Sequence, residues 1–516
     1  MYPTHITHYF EAIVADHPDR IAVHDGNTAV TFANLYERIL CTANALSQRL
    51  EARTGQIVAV FLPKSAAAVM VDLAILYSGN AYMNLDVKSP KQRAKNILHQ
   101  VRPVLIVTQA DMVSTLPTDI PIFLLPSCEE APLSAGDKRR VLALREQNID
   151  TDLLCVINTS GSTGTPKAVA LSHRSFIDFI EVVCEAGLVG DAEVVASLSP
   201  LVFDIFSFEL CMLMAQGSTL VIVPENFAAF PVRLLELMVA RQVTFLFWVP
   251  TIMVNIANMD LLSRIPLPDL KMAWFAGEVF PTAKFNYWRR MLPQTTFINL
   301  YGPIEITLDC LYYPVSRDLH DDEPIPIGKP FRNTGILILN ERGEPAGPDE
   351  EGELCVRGTS LAMGYYNNSE KTTAAFVQNP FNHAYPERIY RTGDIVAYNK
   401  YGELIFKGRR DTLIKHMGYR IELGEIEHVI IDTLKLVRNC CAIYHTAAGK
   451  ITLFYEAPSP LPEKEIRSSI GSVLPRYMVP AAYICLGELP RNANGKIDRF
   501  RLKESLNRDK EERIHV

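Results

Sequence analysis

The sequence predicts an α/β fold divided into a large N-terminal domain of parallel-rich sheets with helices and a small α+β C-terminal domain. Continuous apolar runs of strand length alternate with amphipathic stretches of helix length, which is typical of parallel sheets covered by helices. The chain has 516 residues, well beyond the ~250–300 residues at which a single core stops growing, so at least two domains are expected. From about residue 335 onward, short segments broken by glycine turns predict antiparallel β-structure.

The buried strands of the N-terminal domain are its clearest signals. The first strand pattern, GQIVAVFL at 55–62, is followed by an apolar helix pattern at 66–76. The same strand pattern returns at 103–108, 120–125, 219–223 and 243–248. The stretch 131–150 is the most polar linker of the chain and is predicted to be a loop.

The C-terminal part has the alternation of a small α+β domain of about a hundred residues. A glutamate-rich helix start (IELGEIEHVIIDTL) is followed by two strand patterns (NCCAIYHT and KITLFYEA), a helix pattern (EKEIRSSIGSVL) and a last strand pattern (AAYICLGEL). We place the domain boundary after Arg409, which divides the chain into residues 1–409 and 410–516.

Composition and charge exclude several classes of protein. The net charge is −7 at pH 7, which disfavours the phosphate backbone of a nucleic acid as a general partner. No stretch approaches the ~20 uninterrupted apolar residues of a membrane helix, and the N-terminus lacks the layout of a signal peptide. The ten cysteines show no CxxC spacing, so they predict reduced thiols in a cytoplasmic enzyme rather than a zinc site or a disulfide framework.

The most informative segment is NTSGSTGTPK at 158–167, directly after a predicted strand. Its glycines let backbone N–H groups turn inward, and its serine and threonine hydroxyls add further hydrogen-bond donors. Lys167 ends the segment with a positive charge, so the segment is suited to hold a polyphosphate. It is not a Walker A loop, because the GxxxxGK[ST] spacing is absent.

This segment resembles the phosphate loop of the adenylate-forming enzymes, the superfamily of acyl- and aryl-CoA synthetases, firefly luciferase and the adenylation domains of nonribosomal peptide synthetases. The resemblance covers nearly the whole chain and implies a small β-barrel-like part in the N-terminal domain, a mobile C-terminal domain and an active site between the two domains. Further signatures follow in the same order: NLYGPIE at 299–305, YRTGD at 390–394, GRRD at 408–411, GYRIELGEIE at 418–427 and NGKID at 494–498.

The resemblance implies that a carboxylate reacts with ATP, with Mg²⁺ as the metal, to form an acyl-adenylate and pyrophosphate. A carboxylate is already ionised at pH 7, so the protein needs no general base and must align the groups and neutralise phosphate charge. Catalysis is assigned by the resemblance to Thr159, Lys167, Glu305 and Lys496, with Glu305 as the metal ligand. The residues expected to contact ATP are Thr159, Ser160, Gly161, Ser162, Thr163, Gly164, Lys167, Asn299, Leu300, Tyr301, Gly302, Glu305, Asp394, Arg409 and Lys496.

A second half-reaction, the formation of a thioester, is also implied. The expected acceptor is the phosphopantetheine thiol of a separate carrier protein loaded in trans, because the sequence ends shortly after the Lys496 motif without a carrier segment. Asp411 matches the hinge about which the small domain rotates. Gly418 lies on the loop that then enters the site.

Asp204 indicates which acid is activated. In the amino-acid-activating enzymes that this chain resembles, an aspartate at this position pairs with the substrate α-ammonium, and a buried carboxylate is costly unless it meets a cation. The pocket positions implied by the resemblance are Asp204, Ile205, Phe208, Phe247, Trp274, Ala276, Leu300, Leu308 and Asp309.

The pocket set is similar to that of free-standing L-prolyl-AMP ligases. Its mostly bulky walls predict a small substrate, with L-proline or a close relative first and alanine or serine next. Trp274 and Asp309 depart from that set, and Asp309 is expected to bind a hydroxyl or an amine of the substrate or to face the backbone.

Three alternatives stay open from the sequence: an acyl-CoA synthetase, a D-alanine–carrier protein ligase, and a catalytically silent homologue that acts as a binding module. Asp204 argues against the first alternative. The presence of Lys167, Glu305, Asp394 and Lys496 argues against the last. The D-alanine ligase shares the fold and both half-reactions, so only substrate preference separates it.

Overall fold

The fold is that of a computed structural model of the chain, which describes residues 3–117, 119–125, 132–159, 166–348, 350–410, 413–491, 497–499 and 501–506. The strands, numbered in chain order, are β1 (Ile21–Asp25), β2 (Thr28–Thr31), β3 (Ile57–Phe61), β4 (Ala81–Asn84), β5 (Leu105–Thr108), β6 (Ile122–Leu124), β7 (Leu153–Thr159), β8 (Lys167–Ser172), β9 (Val194–Ser197), β10 (Thr219–Ile222), β11 (Phe245–Trp248), β12 (Met272–Ala276), β13 (Thr296–Tyr301), β14 (Leu311–Pro314), β15 (Lys329–Pro330), β16 (Thr334–Leu339), β17 (Gly352–Gly358), β18 (Gly364–Tyr365), β19 (Phe376–Gln378), β20 (Arg388–Tyr398), β21 (Leu404–Arg409), β22 (Leu413–His416), β23 (Tyr419–Glu422), β24 (Cys440–His445), β25 (Lys450–Glu456) and β26 (Ala482–Leu486).

The α-helices are interleaved with these strands along the chain. They are α1 (Thr7–Asp16), α2 (Phe32–Arg49), α3 (Ala66–Tyr77), α4 (Lys91–Val101), α5 (Ala135–Arg145), α6 (His173–Glu185), α7 (Asp204–Gln216), α8 (Pro231–Ala240), α9 (Pro250–Asn258), α10 (Thr282–Met291), α11 (Ser369–Ala375), α12 (Leu423–His428) and α13 (Glu463–Gly471). Among the described residues, no helix combines the length and the apolar character that crossing a membrane requires.

The first large sheet has nine strands in the order β15-β14-β13-β12-β11-β9-β10-β1-β2. The six central strands from β13 to β1 run parallel, and the strands at the two ends are antiparallel. Parallel strands are buried on both faces, which explains why the strands predicted at 219–223 and 243–248 are continuous apolar runs. β10 and β11 confirm both predictions.

The second large sheet has seven strands in the order β18-β8-β7-β4-β3-β5-β6. The strands from β7 to β6 run parallel, and they confirm the predictions at 55–62, 103–108 and 120–125 as β3, β5 and β6. The helix predicted at 66–76 is α3, which packs against β1 of the first sheet and against β3 and β4 of the second. It is apolar on nearly every side because it lies in the core between the two sheets.

A third sheet follows in the chain and is antiparallel. Its order is β16-β17-β20-β19, and β21 pairs with the other edge of β20. It confirms the antiparallel structure predicted from residue 335 onward, and it is the small β-rich part of the large N-terminal domain.

The smaller C-terminal domain contains the β22–β23 hairpin, α12, a three-stranded sheet of β24 to β26, and α13. These elements confirm the order of helix and strand patterns predicted from the sequence. The domain has an apolar cluster of its own, which joins Ile421 and Ile426 to Leu453 of the sheet and Ile470 of α13. The division of the chain after residue 409 stays a prediction.

The loop prediction for 131–150 is wrong, because the centre of this stretch forms α5. The Ser134 side chain accepts a hydrogen bond from the Asp137 backbone N–H and so satisfies a donor that the first helical turn leaves free. Val141 and Leu144 are buried where α5 packs against α2 and α3. The segment is mostly charged or small, so only these few buried residues mark its apolar face and the sequence pattern hides the helix.

The cysteines of the described residues are all free, and most are buried. Burial raises the pKa of the thiols of Cys155, Cys211 and Cys310. A thiol with a raised pKa stays protonated at neutral pH and is a poor nucleophile. These three buried cysteines are therefore suited to packing in the core and not to nucleophilic catalysis.

His173, the first residue of α6, is fully buried, and the centroid of its ring lies 4.0 Å from that of His5. Burial, with a smaller contribution from His8, lowers the pKa of His173 to about 3, so the ring is neutral in the folded protein. An unfolded histidine has a pKa of about 6.5 and takes up a proton below that pH. The unfolded state then binds more protons than the folded state, so stability is lost as the pH falls from about 6.5 to about 3.

In the wild type, His173 should lower the free energy of unfolding by about 1.4 kcal/mol for each pH unit on the acid side. We expect His173→Phe to abolish this contribution. Urea unfolding of wild type and variant at about pH 7, 6 and 5 measures this slope. The exposed His383 offers a control, since His383→Gln should keep the wild-type slope. An unchanged slope in His173→Phe would show that another group causes the acid sensitivity.

Candidate active site

A cavity of about 120 Å³ lies where strands of the two large sheets end and the β22–β23 hairpin covers them. Thr159 ends β7, Phe247 lies on β11, and Ala276 ends β12, and all three line the cavity. In open parallel sheets, the carboxyl ends of the strands form the usual crevice for a ligand. The two domains therefore enclose one candidate site between them.

Asp204 lines this cavity as the first residue of α7. Its Oδ1 accepts a hydrogen bond from the Ile205 backbone N–H at 2.9 Å. Burial raises the pKa of Asp204, while that hydrogen bond and the positive charge of Lys415 oppose the rise. A desolvated carboxylate of this kind is suited to bind a cationic group of a ligand.

Asp309 faces the same cavity and is buried. Burial raises its pKa, the negative charge of Asp204 adds to the rise, and Lys415 opposes it. The backbone reaches this point through two left-handed residues, Thr307 with φ 52° and Leu308 with φ 69°. Two carboxyl groups and one lysine ammonium thus give the small cavity a polar end.

The expected pocket residues divide into two layers. Ile205, Phe247, Ala276 and Leu308 line the cavity beside Asp204 and Asp309. The residues Phe208, Trp274 and Leu300 are buried and lie outside its lining.

The geometry of the elements explains this division. Trp274 precedes Ala276 by two residues, so both side chains lie on one face of β12. Trp274 is therefore ~7 Å farther from the cavity end of the strand than Ala276. Phe208 follows Asp204 by one turn of α7, on the same helix face. The two rings stack with their centroids 5.0 Å apart, so they form the layer behind the cavity wall.

Glu305, the expected metal ligand, is fully buried. Its Oε2 accepts from Arg420 Nη1 at 2.5 Å, and its Oε1 accepts from the Tyr365 hydroxyl at 2.8 Å. Burial by itself would raise its pKa, but the charges of Arg420 and Lys167 and the hydrogen bonds lower the pKa of Glu305 to about 2. The carboxylate is therefore ionised at neutral pH and requires a cation.

This requirement fits Mg²⁺, which takes oxygen ligands and is commonly bound through one or two carboxylates together with substrate phosphates. The described residues contain no group of three or more His, Cys, Asp and Glu side chains that could hold a metal by themselves. A metal at Glu305 would depend on phosphate and water for its other ligands, as this class of Mg²⁺ site does.

Lys167 lies beside this cluster at the start of β8. Its Nζ is 2.5 Å from Glu422 Oε1, and it lies 5.8 Å from the centroid of the Tyr365 ring. The lysine that the sequence assigns to phosphate binding is thus paired with a carboxylate of the C-terminal domain.

Asp394 forms a second polar cluster on β20. Its Oδ2 accepts from the Tyr301 hydroxyl, its Oδ1 accepts from Arg409, and Arg409 Nη2 also donates to the Thr392 carbonyl at 2.9 Å. These three expected ATP contacts are therefore brought together. Asn299 makes a different contact, in which its Nδ2 donates to the Pro326 carbonyl at 2.7 Å.

Asn158 and Thr159 begin the segment 158–167 and are described. Neither the buried hydroxyl of Thr159 nor the side-chain amide of Asn158 finds a hydrogen-bond partner within the described residues. Such orphaned polar groups at the edge of the cavity are suited to a polar ligand. The expected residues outside the described ranges are Ser160, Gly161, Ser162, Thr163, Gly164, the hinge Asp411 and Lys496.

The sequence motifs did not predict three site residues of the hairpin, Lys415, Arg420 and Glu422. Lys415 lines the cavity, and burial lowers its pKa while Asp394 and Asp309 oppose the decrease. All three lie in or next to the GYRIELGEIE signature, so the sequence identified this segment but not the residues that its side chains contact. Gly418, at the turn of the hairpin, donates its N–H to Glu278 Oε1 at 2.8 Å.

Gly302 permits the close approach that shapes the cavity wall. A Cβ at this position would lie 2.3 Å from the Leu308 carbonyl oxygen and 2.4 Å from the Asp309 Cα.

We expect Gly302→Ala to lower the free energy of unfolding by about 1–3 kcal/mol, because backbone atoms must move to make room. Urea unfolding measures the effect. Gly471→Ala is the control, because a Cβ there meets nothing within 4 Å; equal stabilities of the two variants would contradict the close approach.

Comparison with known proteins agrees with this geometry. A family profile described as AMP-binding enzyme matches residues 10–366. Bacitracin synthase 1 of Bacillus licheniformis is 31% identical over 511 residues, which cover 96% of this chain and 9% of that protein. Tyrocidine synthase 1 of Brevibacillus parabrevis is 30% identical over 505 residues, which cover 96% of this chain and 44% of that protein. The chain therefore spans less than half the length of these relatives.

Solved structures extend the similarity over both domains. Holo-PA1221, an NRPS protein containing adenylation and PCP domains, is 26% identical with a TM-score of 0.81, covering 97% of this chain and 84% of that chain. The Vibrio cholerae adenylation domain AlmE, solved in complex with glycyl-adenosine-5'-phosphate, has a TM-score of 0.83 at 23% identity and covers 98% of each chain. Since the profile covers more than half of the sequence and the fold agrees over nearly its whole length, this chain belongs to the AMP-binding enzyme family and has the fold of a nonribosomal peptide synthetase adenylation domain.

Proposed function

We propose that this chain activates an amino acid as its aminoacyl-adenylate at the expense of ATP and then transfers it to the phosphopantetheine thiol of a carrier protein. The observation that carries the proposal is the carboxylate of Asp204 at the wall of a small cavity that also reaches Thr159. An amino acid has one cationic group and one anionic group. Asp204 supplies the partner for the ammonium, so the substrate carboxylate is free to face the nucleotide side.

In the first step, a carboxylate oxygen of the amino acid attacks the α-phosphorus of ATP, and the bond to the pyrophosphate oxygen breaks. The protein aligns the two reactants and neutralises charge on the phosphates. Lys167 and Lys496 supply positive charge, and Asp394, Tyr301 and Arg409 hold the ribose side. Mg²⁺ bound through Glu305 would offset the charge of the leaving pyrophosphate.

In the second step, the thiol of the carrier arm attacks the acyl carbon and AMP leaves. The position of Gly418 beside the cavity supports this step, because a glycine allows an extended arm to pass close to the backbone. The printed description of the PA1221 structure, which contains adenylation and PCP domains, also supports a carrier partner. We propose a carrier on a separate polypeptide and a hinge at Asp411.

The small cavity supports an amino acid with a small or cyclic side chain, and L-proline remains the first candidate from the apolar walls. Asp309 supports a second candidate, because its buried carboxylate would accept a hydrogen bond from the hydroxyl of serine or from a short side-chain amine. A D-alanine–carrier protein ligase and an acyl-CoA synthetase would use the same fold with a different acid.

Amino-acid-dependent exchange of labelled pyrophosphate into ATP tests the proposal. We expect exchange with at least one small amino acid from a panel that includes L-proline, L-serine, L-alanine, D-alanine and a short diamino acid, and none with octanoate. Exchange with octanoate alone would show an acyl-CoA synthetase. No exchange with any acid would show a silent homologue.

Asp204→Asn should raise the KM of the amino acid by about 30-fold or more, because an ion pair worth at least ~2 kcal/mol is lost. The KM of ATP should change far less. Asp309→Asn faces the same cavity and serves as the matched variant. It should alter the KM only for substrates whose side chain carries a hydroxyl or an amine. Equal effects of both variants on all amino acids would contradict a specific ammonium role for Asp204.

Lys496→Ala should slow adenylation by ~10²-fold or more, which is the range for a lost electrostatic stabiliser of a transition state. Thioester formation from supplied aminoacyl-adenylate should be spared. Single-turnover assays of the two half-reactions measure both effects. An equal loss in both steps would assign Lys496 a structural role instead.

A further inference from the structure

A short irregular segment, residues 198–203, joins β9 to α7 and is here called the Asp204 loop, because Asp204 follows it directly. Val202 and Phe203, the last two residues of this loop, line the cavity together with Asp204. The N-cap residue of α7 is Phe203, whose apolar side chain cannot accept a hydrogen bond from the first helical turn. The place of Asp204 at the cavity wall therefore depends on how the loop before it is held.

The start of the Asp204 loop is held by Lys64, which follows β3 of the second large sheet. Its Nζ donates to the Ser197 carbonyl at 2.8 Å and to the Ser199 carbonyl at 2.5 Å. The same Nζ lies 3.7 Å from Glu209 Oε2 of α7. Lys64 therefore ties the loop both to the second sheet and to the helix that carries Asp204.

Glu209 completes this set of contacts. Its Oε2 accepts a hydrogen bond from the Ser197 hydroxyl. The side chains of Lys64 and Glu209 are each only 1% exposed. Burial lowers the pKa of Lys64 and raises that of Glu209, and the charge of each residue opposes the shift of the other. Each residue therefore depends on the other to stay charged in the core.

We propose that Lys64 and Glu209 are positioning residues that hold Asp204 at the cavity wall and thereby set the affinity for the ammonium group of the amino acid. Neither residue lines the cavity, so both act through the Asp204 loop and α7. The inference rests on the proposed function and adds to it two residues that hold the substrate-binding carboxylate in place.

Stability alone does not explain a charged pair at this point. Apolar residues of similar volume are often as stabilising as a buried ion pair. Apolar residues cannot donate hydrogen bonds to the carbonyls of an irregular loop, and a buried carbonyl without a donor is unfavourable. The ammonium of Lys64 supplies donors to two such carbonyls, those of Ser197 and Ser199, and so favours one conformation of the loop.

The pair also acts on the helix itself. Glu209 follows Asp204 by five residues on α7, which is about 7.5 Å along the helix axis. Contacts that fix Glu209 therefore limit both the rotation and the axial shift of the helix end that presents Asp204. The loop before Asp204 and the helix after it are thus held by the same two side chains.

Lys64→Met combined with Glu209→Gln separates positioning from stability. Each new side chain is close in size to the one it replaces, and the double variant leaves no unpaired charge in the core. Lys64→Met alone leaves Glu209 without its cation, so it should unfold at a lower urea concentration than the double variant. In the double variant, the carbonyls of Ser197 and Ser199 still lack the donors that Lys64 supplied.

Amide hydrogen exchange of residues 198–206, measured by mass spectrometry on the full chain without ligand, reports on the loop directly. We expect the double variant to raise the exchange rate of this segment by about tenfold, because the loop opens more often. The neighbouring strand β11 should keep its wild-type exchange rate. Ser197→Ala is a milder variant, which removes only the hydroxyl that donates to Glu209 and should give the same pattern with a smaller rise.

The kinetic test uses an amino acid that supports pyrophosphate exchange. The double variant should raise the KM of this amino acid by about tenfold, while the KM of ATP and kcat stay near their wild-type values. The control is Lys138→Met combined with Glu37→Gln, which removes an exposed pair of the same residue types between α5 and α2. This control should change neither the exchange of residues 198–206 nor either KM.

Three results would overturn the proposal. The first is a wild-type exchange rate of residues 198–206 in the double variant, and the second is an equal rise in β11, which would show a general loss of stability. The third is an unchanged KM of the amino acid, or a KM of ATP that rises as much. Failure of the proposed function would instead appear as wild-type protein without amino-acid-dependent pyrophosphate exchange, and the hydrogen-exchange test of the loop would still decide whether Lys64 and Glu209 hold it.

Discussion

A fully buried carboxylate must have a cation within reach, and Glu305 imposes this condition on the centre of the molecule. Its pKa of about 2 means that it carries its charge at any physiological pH. In the structure, the guanidinium of Arg420 meets the condition and the Tyr365 hydroxyl binds the second oxygen. Because Arg420 belongs to β23, this ion pair joins a buried carboxylate of the N-terminal domain to the hairpin of the small domain.

The cavity depends on a second constraint, the packing of backbone against backbone. Gly302 allows the chain at Leu308 and Asp309 to come within a distance that any side chain at position 302 would prevent. The left-handed conformations of Thr307 and Leu308 then turn Asp309 toward the cavity. Behind this wall, aromatic rings fill the core, so the depth of the cavity is limited by packing that is already dense.

Much of the fold could be predicted from the sequence, because apolar periods and short motifs are local features. Continuous apolar runs predicted the parallel strands of both large sheets, and the glycine-punctuated segments predicted the antiparallel sheet. The apolar pattern did not reveal α5, because this mostly charged helix buries only a few residues. The expected roles of the segment 160–164, Asp411 and Lys496 rest on the sequence alone and stay predictions.

The sequence by itself determined the fold class, the order of the motifs and the presence of a carboxylate at position 204. Only the tertiary structure decided that Phe208, Trp274 and Leu300 stand behind the cavity rather than in its wall. It also decided which charges meet, since Arg420 and Glu305 are 115 residues apart in the chain and Lys167 and Glu422 are 255 residues apart. The physical reason is that a local pattern records whether a residue is buried, whereas the partner of a buried charge depends on how distant elements pack together.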